Sequence, residues 1–336
     1  MTPGPQPTER VNRAFVGIPT FLRSVICHDL RTLDADIAVM GVPSDEGSPF
    51  MPGSRFGPRG IREHSLRFTG RGAGYYDNHL RREFLEHEMA HGRIVDAGDA
   101  DVLPTNVVDT FANVTAMTRQ ILDRGALPVV LGGDHAITFP VVRAYSEPIH
   151  VVHFDAHLDY APFVHGLEFT NAHAFRHITR MAHVRTLTQV GIRSLRNTRL
   201  MMDDAIADGS HVVLMEEFRD RSVASIVERV PRDARCYVSI DVDVFDMPLV
   251  PGCVSAEPEG MSYRELRSIL IALAEHTDVV GFDVVEVNPQ LDIGTGITSY
   301  IAAHTIVEFL GHICDQPRWK AARHTRAAQR EAAAAR

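Results

Sequence analysis

The sequence predicts an α/β fold: a mostly parallel sheet of about eight strands, covered by helices on both faces as a three-layer sandwich. Three observations predict it. Short apolar, β-branched runs recur along the chain, stretches with helical apolar spacing separate many of them, and several runs stop abruptly on acids and histidines. In chain order, residues 1–30 are proline-bearing and irregular, but Phe15, Ile18, Phe21 and Leu22 give them enough apolar character to pack, so they read as an N-terminal arm. Eight strand-like runs follow within residues 31–316, the span expected to form the main α/β domain: 36–41 (DIAVMG), 93–98 (RIVDAG), 127–132 (LPVVLG), 149–154 (IHVVHF), 187–192 (LTQVGI), 211–215 (HVVLM), 236–241 (CYVSID) and 279–285 (VVGFDVV). Residues 107–124, 263–276 and 300–313 carry apolar positions at three- and four-residue spacing and read as helices. Residues 317–336 are rich in alanine and arginine and read as a basic tail, an exposed helix or a frayed end.

Composition narrows the function. With 336 residues, 45% hydrophobic and 23% charged, the chain can bury one extended core. A formal net charge of −9 disfavours nucleic-acid binding, which rests on basic surfaces, and tilts toward small cationic ligands. The four cysteines, Cys27, Cys236, Cys253 and Cys314, form no CxxC pair, so neither a thiolate metal site nor a disulfide framework is expected. The first residues lack a basic segment followed by an apolar core, and no apolar run approaches the roughly 20 residues that span a bilayer. The expectation is a cytoplasmic protein without a membrane partner.

Ligands of an open parallel sheet bind beyond the carboxyl ends of its strands, so polar residues at strand ends carry the most information. In the stretch HFDAHLD, Asp155, His157 and Asp159 are spaced by two, which in an extended segment puts them on one face. Asp241 and Asp243 repeat that spacing, and Asp134-His135 ends another run through a Gly-Gly turn. A lone acid at a strand end is usually a cap or turn residue. A set of carboxylates with two histidines at one sheet edge is different, because such charges repel unless cations neutralise them. Mixed carboxylate and imidazole donors suit manganese, nickel, cobalt or zinc better than calcium.

The runs LGGDHAIT, HFDAHLD and SIDVDVFD resemble the three metal motifs of the ureohydrolase (arginase/agmatinase) family, and PGSRFGPRGIR at 52–62 resembles a loop of its agmatinase-like branch. The resemblance extends to about Cys314. It implies a metal-dependent amidinohydrolase with two divalent ions per subunit, Mn2+ with Ni2+ as the alternative. One ion would be held by His135, Asp155, Asp159 and Asp241, and the other by His157, Asp155, Asp241 and Asp243, with Asp155 and Asp241 bridging. It further implies attack of a metal-bridging hydroxide on a guanidinium carbon, releasing urea and an amine. Asp159 would accept and pass on protons, Glu286 would pair with the guanidinium, and the subunits would assemble as a homo-oligomer, a trimer or hexamer.

Two stretches depart from the family pattern. The HGTPF segment, whose histidine carries protons in many agmatinase-like members, is replaced by FTNAHAFRH at 169–177. One alignment puts Asn171 on the histidine position; the Asn-x-His order of arginases instead favours His173 as the acid/base, and His165 is a third candidate. The loop PGCVSAEPEG at 251–260 replaces PGTGTPxPGG and reshapes the expected substrate pocket around Cys253 and Val254. Phe163, Val164 and Phe169 make the segment after the second motif apolar and hint at a short or weakly polar substrate tail, with Phe163 and Asn171 as substrate contacts. The candidate substrates are agmatine, guanidino acids, arginine, and guanidine or small N-alkylated guanidines and biguanides, the last group with nickel. A deacetylase-like amidohydrolase with one zinc, and a silent subunit of a mixed oligomer, are the competing readings; both predict lost ligands, and none is lost.

Overall fold

Strand side chains alternate between two faces, and here both faces are apolar. Val129 and Leu131 join one buried cluster with Ile61, Leu266, Ile306 and Phe309, while Val130 between them joins a second with Phe111, Val114 and Ile121. Such strands need helices on both sides, which a parallel sheet supplies through its crossovers. A computed structural model describes residues 14–68 and 74–334 and shows this arrangement. The part of the expected arm at residues 1–13 lies outside the described residues, as do the last two residues of the tail.

The strands are β1 (Val25–Ile26), β2 (Ile37–Val42), β3 (Ile94–Asp99), β4 (Leu127–Gly132), β5 (Ile149–Phe154), β6 (Val184–Ile192), β7 (His211–Leu214), β8 (Arg235–Asp241) and β9 (Asp278–Val285). They form one sheet in the order β1-β3-β2-β4-β9-β8-β5-β6-β7, with every pair parallel. All eight expected strands are present. The sheet nevertheless has nine, because Val25 and Ile26 pair with Val95 and Asp96 at its edge. Two exposed residues carry no periodic signal; the Phe21 amide, which donates to Asp96 Oδ2 at 2.8 Å, holds the segment in place instead. A small antiparallel hairpin, Tyr75–Asp77 with Arg82–Phe84, was likewise not expected.

Six longer helices frame the sheet: α1 (Gly57–Ser65), α2 (Val107–Asp123), α3 (Arg199–Ala207), α4 (Tyr263–His276), α5 (Ile297–Asp315) and α6 (Pro317–Ala334). Helices α1, α4 and α5 pack together over one face, and α2 covers part of the other. Capping explains the boundaries. Ser262 and Glu265 form a capping box that starts α4 where the spacing predicts. Helix α5 begins a turn earlier than its apolar pattern suggests, because Asp292 accepts from the amides of Thr298 and Ser299. In α6 the buried Trp319 donates its indole N–H to Glu88 Oε1 at 3.1 Å, tying the start of this helix to the domain.

The chain crosses from β4 to β5 over two intervening strands, leaving room for β9 and β8 between them. The carboxyl ends of these four central strands therefore stand side by side. They carry residues 134–135, 286, 241–243 and 155–159.

Candidate metal centre

Each strand delivers its donors differently. Strand β8 stops on Asp241, and the 3-10 turn Val242–Val244 brings back Asp243, whose amide donates to Asp241 Oδ1 at 2.8 Å. Strand β5 ends at Phe154, so Asp155, His157 and Asp159 lie beyond it in a bent segment, with Asp159 in the left-handed region at φ 46°. They converge by turning, not by the extended two-residue alternation. Glu286 after β9 is also left-handed, at φ 64°. Strained backbone at two polar residues of one site is a pattern associated with function.

Around His135, fully buried, Nδ1 stands 2.9 Å from Asp155 Oδ2 and 3.1 Å from both Asp159 Oδ2 and Asp241 Oδ2. Nδ1 nonetheless makes no aligned hydrogen bond. On the other side, His157 Nδ1 lies 2.9 Å from Asp243 Oδ2 and 3.2 Å from Asp155 Oδ1, and Asp243 Oδ2 is also buried without a hydrogen bond. Lone-pair atoms crowded around a shared point, unpaired and shielded from water, are the geometry of a ligand set aimed at cations. Two further atoms of these side chains are spoken for. Asp243 Oδ1 accepts from the Ala156 amide at 2.9 Å, and Asp155 Oδ1 from the His157 amide.

The ring orientations follow from their neighbours. Ser239 Oγ donates to Asp283 Oδ1 at 2.6 Å, so it must accept at 2.9 Å from His135 Nε2–H, leaving His135 Nδ1 with its lone pair toward the carboxylates. Tyr237 and Thr138 hydroxyls donate to Asp283 Oδ2 at 2.7 and 2.9 Å and complete a buried relay behind the ligand. His153 is similarly fixed. Its Nδ1 accepts from the Gln189 amide at 3.0 Å, so its Nε2–H donates to Asp155 Oδ2 at 2.8 Å, and it orients that carboxylate instead of binding metal.

Electrostatics carry the same message. Burial, with the charges of Asp243 and Asp155, pushes the Asp241 carboxyl well up, and burial beside Asp155 pushes Asp243 up to about 6. Burial opposes charge on His157, yet Asp243 and Asp155 push it up to about 12. Carboxylates buried this close together need compensating positive charge. Divalent cations would supply that charge and leave the carboxylates ionised and the imidazoles neutral, so the residues present fit a metal pair.

A cavity of about 260 Å³ opens onto this cluster, lined among others by His157, Asp159, Asn171, Asp241, Asp243 and Glu286. Glu286 Oε1 accepts from the His135 amide at 3.0 Å and from Asn171 Nδ2 at 3.3 Å; burial pushes its carboxyl up to about 7. His173 does not line the cavity. It is buried behind Asn171 and Ala172, with Nδ1 on Thr170 Oγ1 at 2.7 Å and Nε2 3.4 Å from the Pro162 carbonyl, and burial lowers its pKa. Phe163 packs on the His173 and His177 rings, also outside the lining, and His165 is exposed on a turn. Burial and the neighbouring carboxylates push the Cys253 thiol well up, which keeps it protonated beside Asp241 and Asp243. Asp134 is no ligand: it caps the turn, accepting from the Gly47 and Ala136 amides.

Several side chains here escaped the sequence reading. Ser239, Asp283 and His153 sit inside the expected strands, where their spacing from the ligands was the available signal. Arg196 and Glu257 gave none. Arg196 donates through Nε and Nη2 to Glu257 Oε1, and Glu257 Oε1 lies 3.5 Å from His157 Nε2, a contact across 61 residues of chain for the arginine.

Comparison with known proteins gives a consistent picture. The Arginase family model matches residues 35–311. Guanidinopropionase of Pseudomonas aeruginosa is 34% identical over 321 residues, 91% of this chain and 95% of that protein. Proclavaminate amidinohydrolase of Streptomyces clavuligerus is 32% identical over 312 residues, 89% and 94% of the two chains. The solved structure of that amidinohydrolase superposes with a TM-score of 0.76 at 30% identity, over 90% of this chain and 98% of its own.

Proposed function

This chain belongs to the arginase family, and from that membership and the geometry of its metal centre we propose that it hydrolyses a small guanidino compound to urea and an amine with two divalent ions bound. It is an amidinohydrolase, as members of the family are. The observation that carries the finer reading is His135 Nδ1, unpaired and buried within 3.1 Å of three carboxylates, with a second buried and unpaired atom, Asp243 Oδ2, 2.9 Å from His157 Nδ1.

Two divalent ions, one held by His135, Asp155, Asp159 and Asp241 and the other by His157, Asp155, Asp241 and Asp243, would supply Lewis-acid charge and make an ionised water available near neutral pH. The chain does the rest. Glu286, on the cavity floor and steadied by the His135 amide and Asn171, accepts charge-assisted hydrogen bonds from the planar guanidinium and so sets its carbon over the metal cluster. Asp159 accepts the proton released from the water. His173, behind the lining residues Asn171 and Ala172, is the proposed donor to the leaving nitrogen once its long 3.4 Å contact to the Pro162 carbonyl opens. Manganese is the proposed metal, with nickel second. The proposed form is a cytoplasmic homo-oligomer, a trimer or hexamer; among the described residues no helix is long and apolar enough to cross a membrane. A full set of six ligands argues against a silent subunit.

Urea release from agmatine, guanidino acids, arginine, guanidine and alkylated guanidines, measured with manganese- or nickel-loaded protein, tests the reading. Urea from at least one compound is expected. None from any, with two metals bound per chain, would overturn it.

A further inference from the structure

We propose that Arg196 makes the mouth of the cavity an anion-recognising subsite, so that the substrate is a guanidino compound whose short alkyl tail ends in a carboxylate. The inference rests on the hydrolase reading above and names the substrate class within it. Floor and mouth differ in sign. Among the described residues of the lining, Asp159, Asp241, Asp243 and Glu286 are the carboxylates, all buried, and Arg196 is the one Lys or Arg. The Arg196 side chain is 58% exposed, open to a ligand arriving from solvent.

The guanidinium of Arg196 is held along one edge. Glu257 Oε1 accepts from Nε at 3.2 Å and Nη2 at 3.1 Å, and the Ser255 carbonyl accepts from Nη2 at 3.0 Å. Glu257 is itself fixed by Ser194 Oγ, which donates to it at 2.6 Å. The Nη1 hydrogens have no hydrogen-bond partner among the described residues. A planar fork anchored on one side and unspent on the other is preorganised to take a carboxylate.

His157 adds a second observation. Its Nε2 stands 2.7 Å from Arg196 Nη2. Because one imidazole separates the arginine from the metal-facing nitrogen, only a tail of a few methylene groups joins the two subsites. A tail ending in ammonium would meet like charge at the mouth, which discriminates against it. The acidic net charge of the chain therefore misleads about the distal end of its ligand.

The test compares kcat/KM of the manganese-loaded enzyme for 4-guanidinobutyrate, an alkylguanidine of equal length whose tail carries no charge, and agmatine. The acid is expected to exceed the alkylguanidine on the order of 10- to 100-fold, the worth of one charge-assisted hydrogen bond. That ratio should collapse in Arg196→Gln, chiefly through KM, be partly kept in Arg196→Lys, and turn toward agmatine in Arg196→Glu. Calorimetric binding of 4-aminobutyrate against 1,4-diaminobutane should show the same order without turnover. Urea released with no preference for the acid, or equal losses on acid and alkylguanidine in Arg196→Gln, overturns the inference and leaves the hydrolase reading standing. Absence of urea from every guanidino compound overturns both.

Discussion

At His135 the two ring nitrogens have separate jobs: Nε2–H is pinned by Ser239, and Nδ1 faces the carboxylates. That division of labour predicts the effect of Ser239→Ala. The ring loses its orienting acceptor while every ligand remains, so metal affinity should fall roughly 10- to 100-fold, as removal of such partners generally does. Titration of metal-free protein with manganese, followed calorimetrically, checks it; unchanged affinity at both positions would contradict the relay. A second prediction concerns the proton donor. His173→Ala should lower kcat on the order of 100-fold or more if that ring carries the proton, whereas Asn171→Ala, which removes only a donor to Glu286, should act mainly on KM. The reverse pattern would move the role away from His173. Such residues differ in how visible they are in the sequence. Asp155, His157 and Asp159 are close neighbours in one segment, but the hydrogen bond from His135 to Ser239 spans 104 positions.

At the scale of elements, the site depends on strand ends being rigid. Strand β9 is packed from one side by α5, where Phe309 meets Phe282 edge-on at 5.0 Å and both rings are buried. Phe309→Ala should cost about 3–5 kcal/mol by leaving a cavity under the sheet. Denaturant unfolding reads the loss, and the folded fraction should keep its metal affinity because Phe309 touches no ligand. Helices α4 and α5 were legible from spacing because their apolar stripes are long. Strand β1 was not. Two exposed residues acquire strand geometry only from the partner edge of β3, and the hairpin at 75–84 likewise depends on what it meets, with Phe84 against His312 of α5 at 4.9 Å.

For the whole molecule, acid sensitivity should show in a region remote from the metals. Burial holds His304 and His312 below the ordinary histidine value, outweighing the nearby Glu308. The folded state therefore resists a proton that the unfolded chain accepts. Their contribution to stability is whole above about pH 6.5 and declines as the pH falls through that value. The Tm is expected to drop between neutral and mildly acid pH, and His312→Gln, which cannot titrate, should show a shallower drop than the parent at matched metal content. An identical slope in the two proteins would show that His312 takes no part.

The amino-acid order by itself marked eight of the nine strands and the acids and histidines that end them, because alternation, helical spacing and clustered acids and histidines are local patterns. Tertiary structure alone decided which nitrogen of each histidine faces the cluster, that Asp134 caps and His153 orients, and that Arg196 stands at the cavity mouth held by Glu257. Those assignments rest on hydrogen-bond directions and on the sign of charge at a shared point. They exist only once strands distant in the chain are laid side by side.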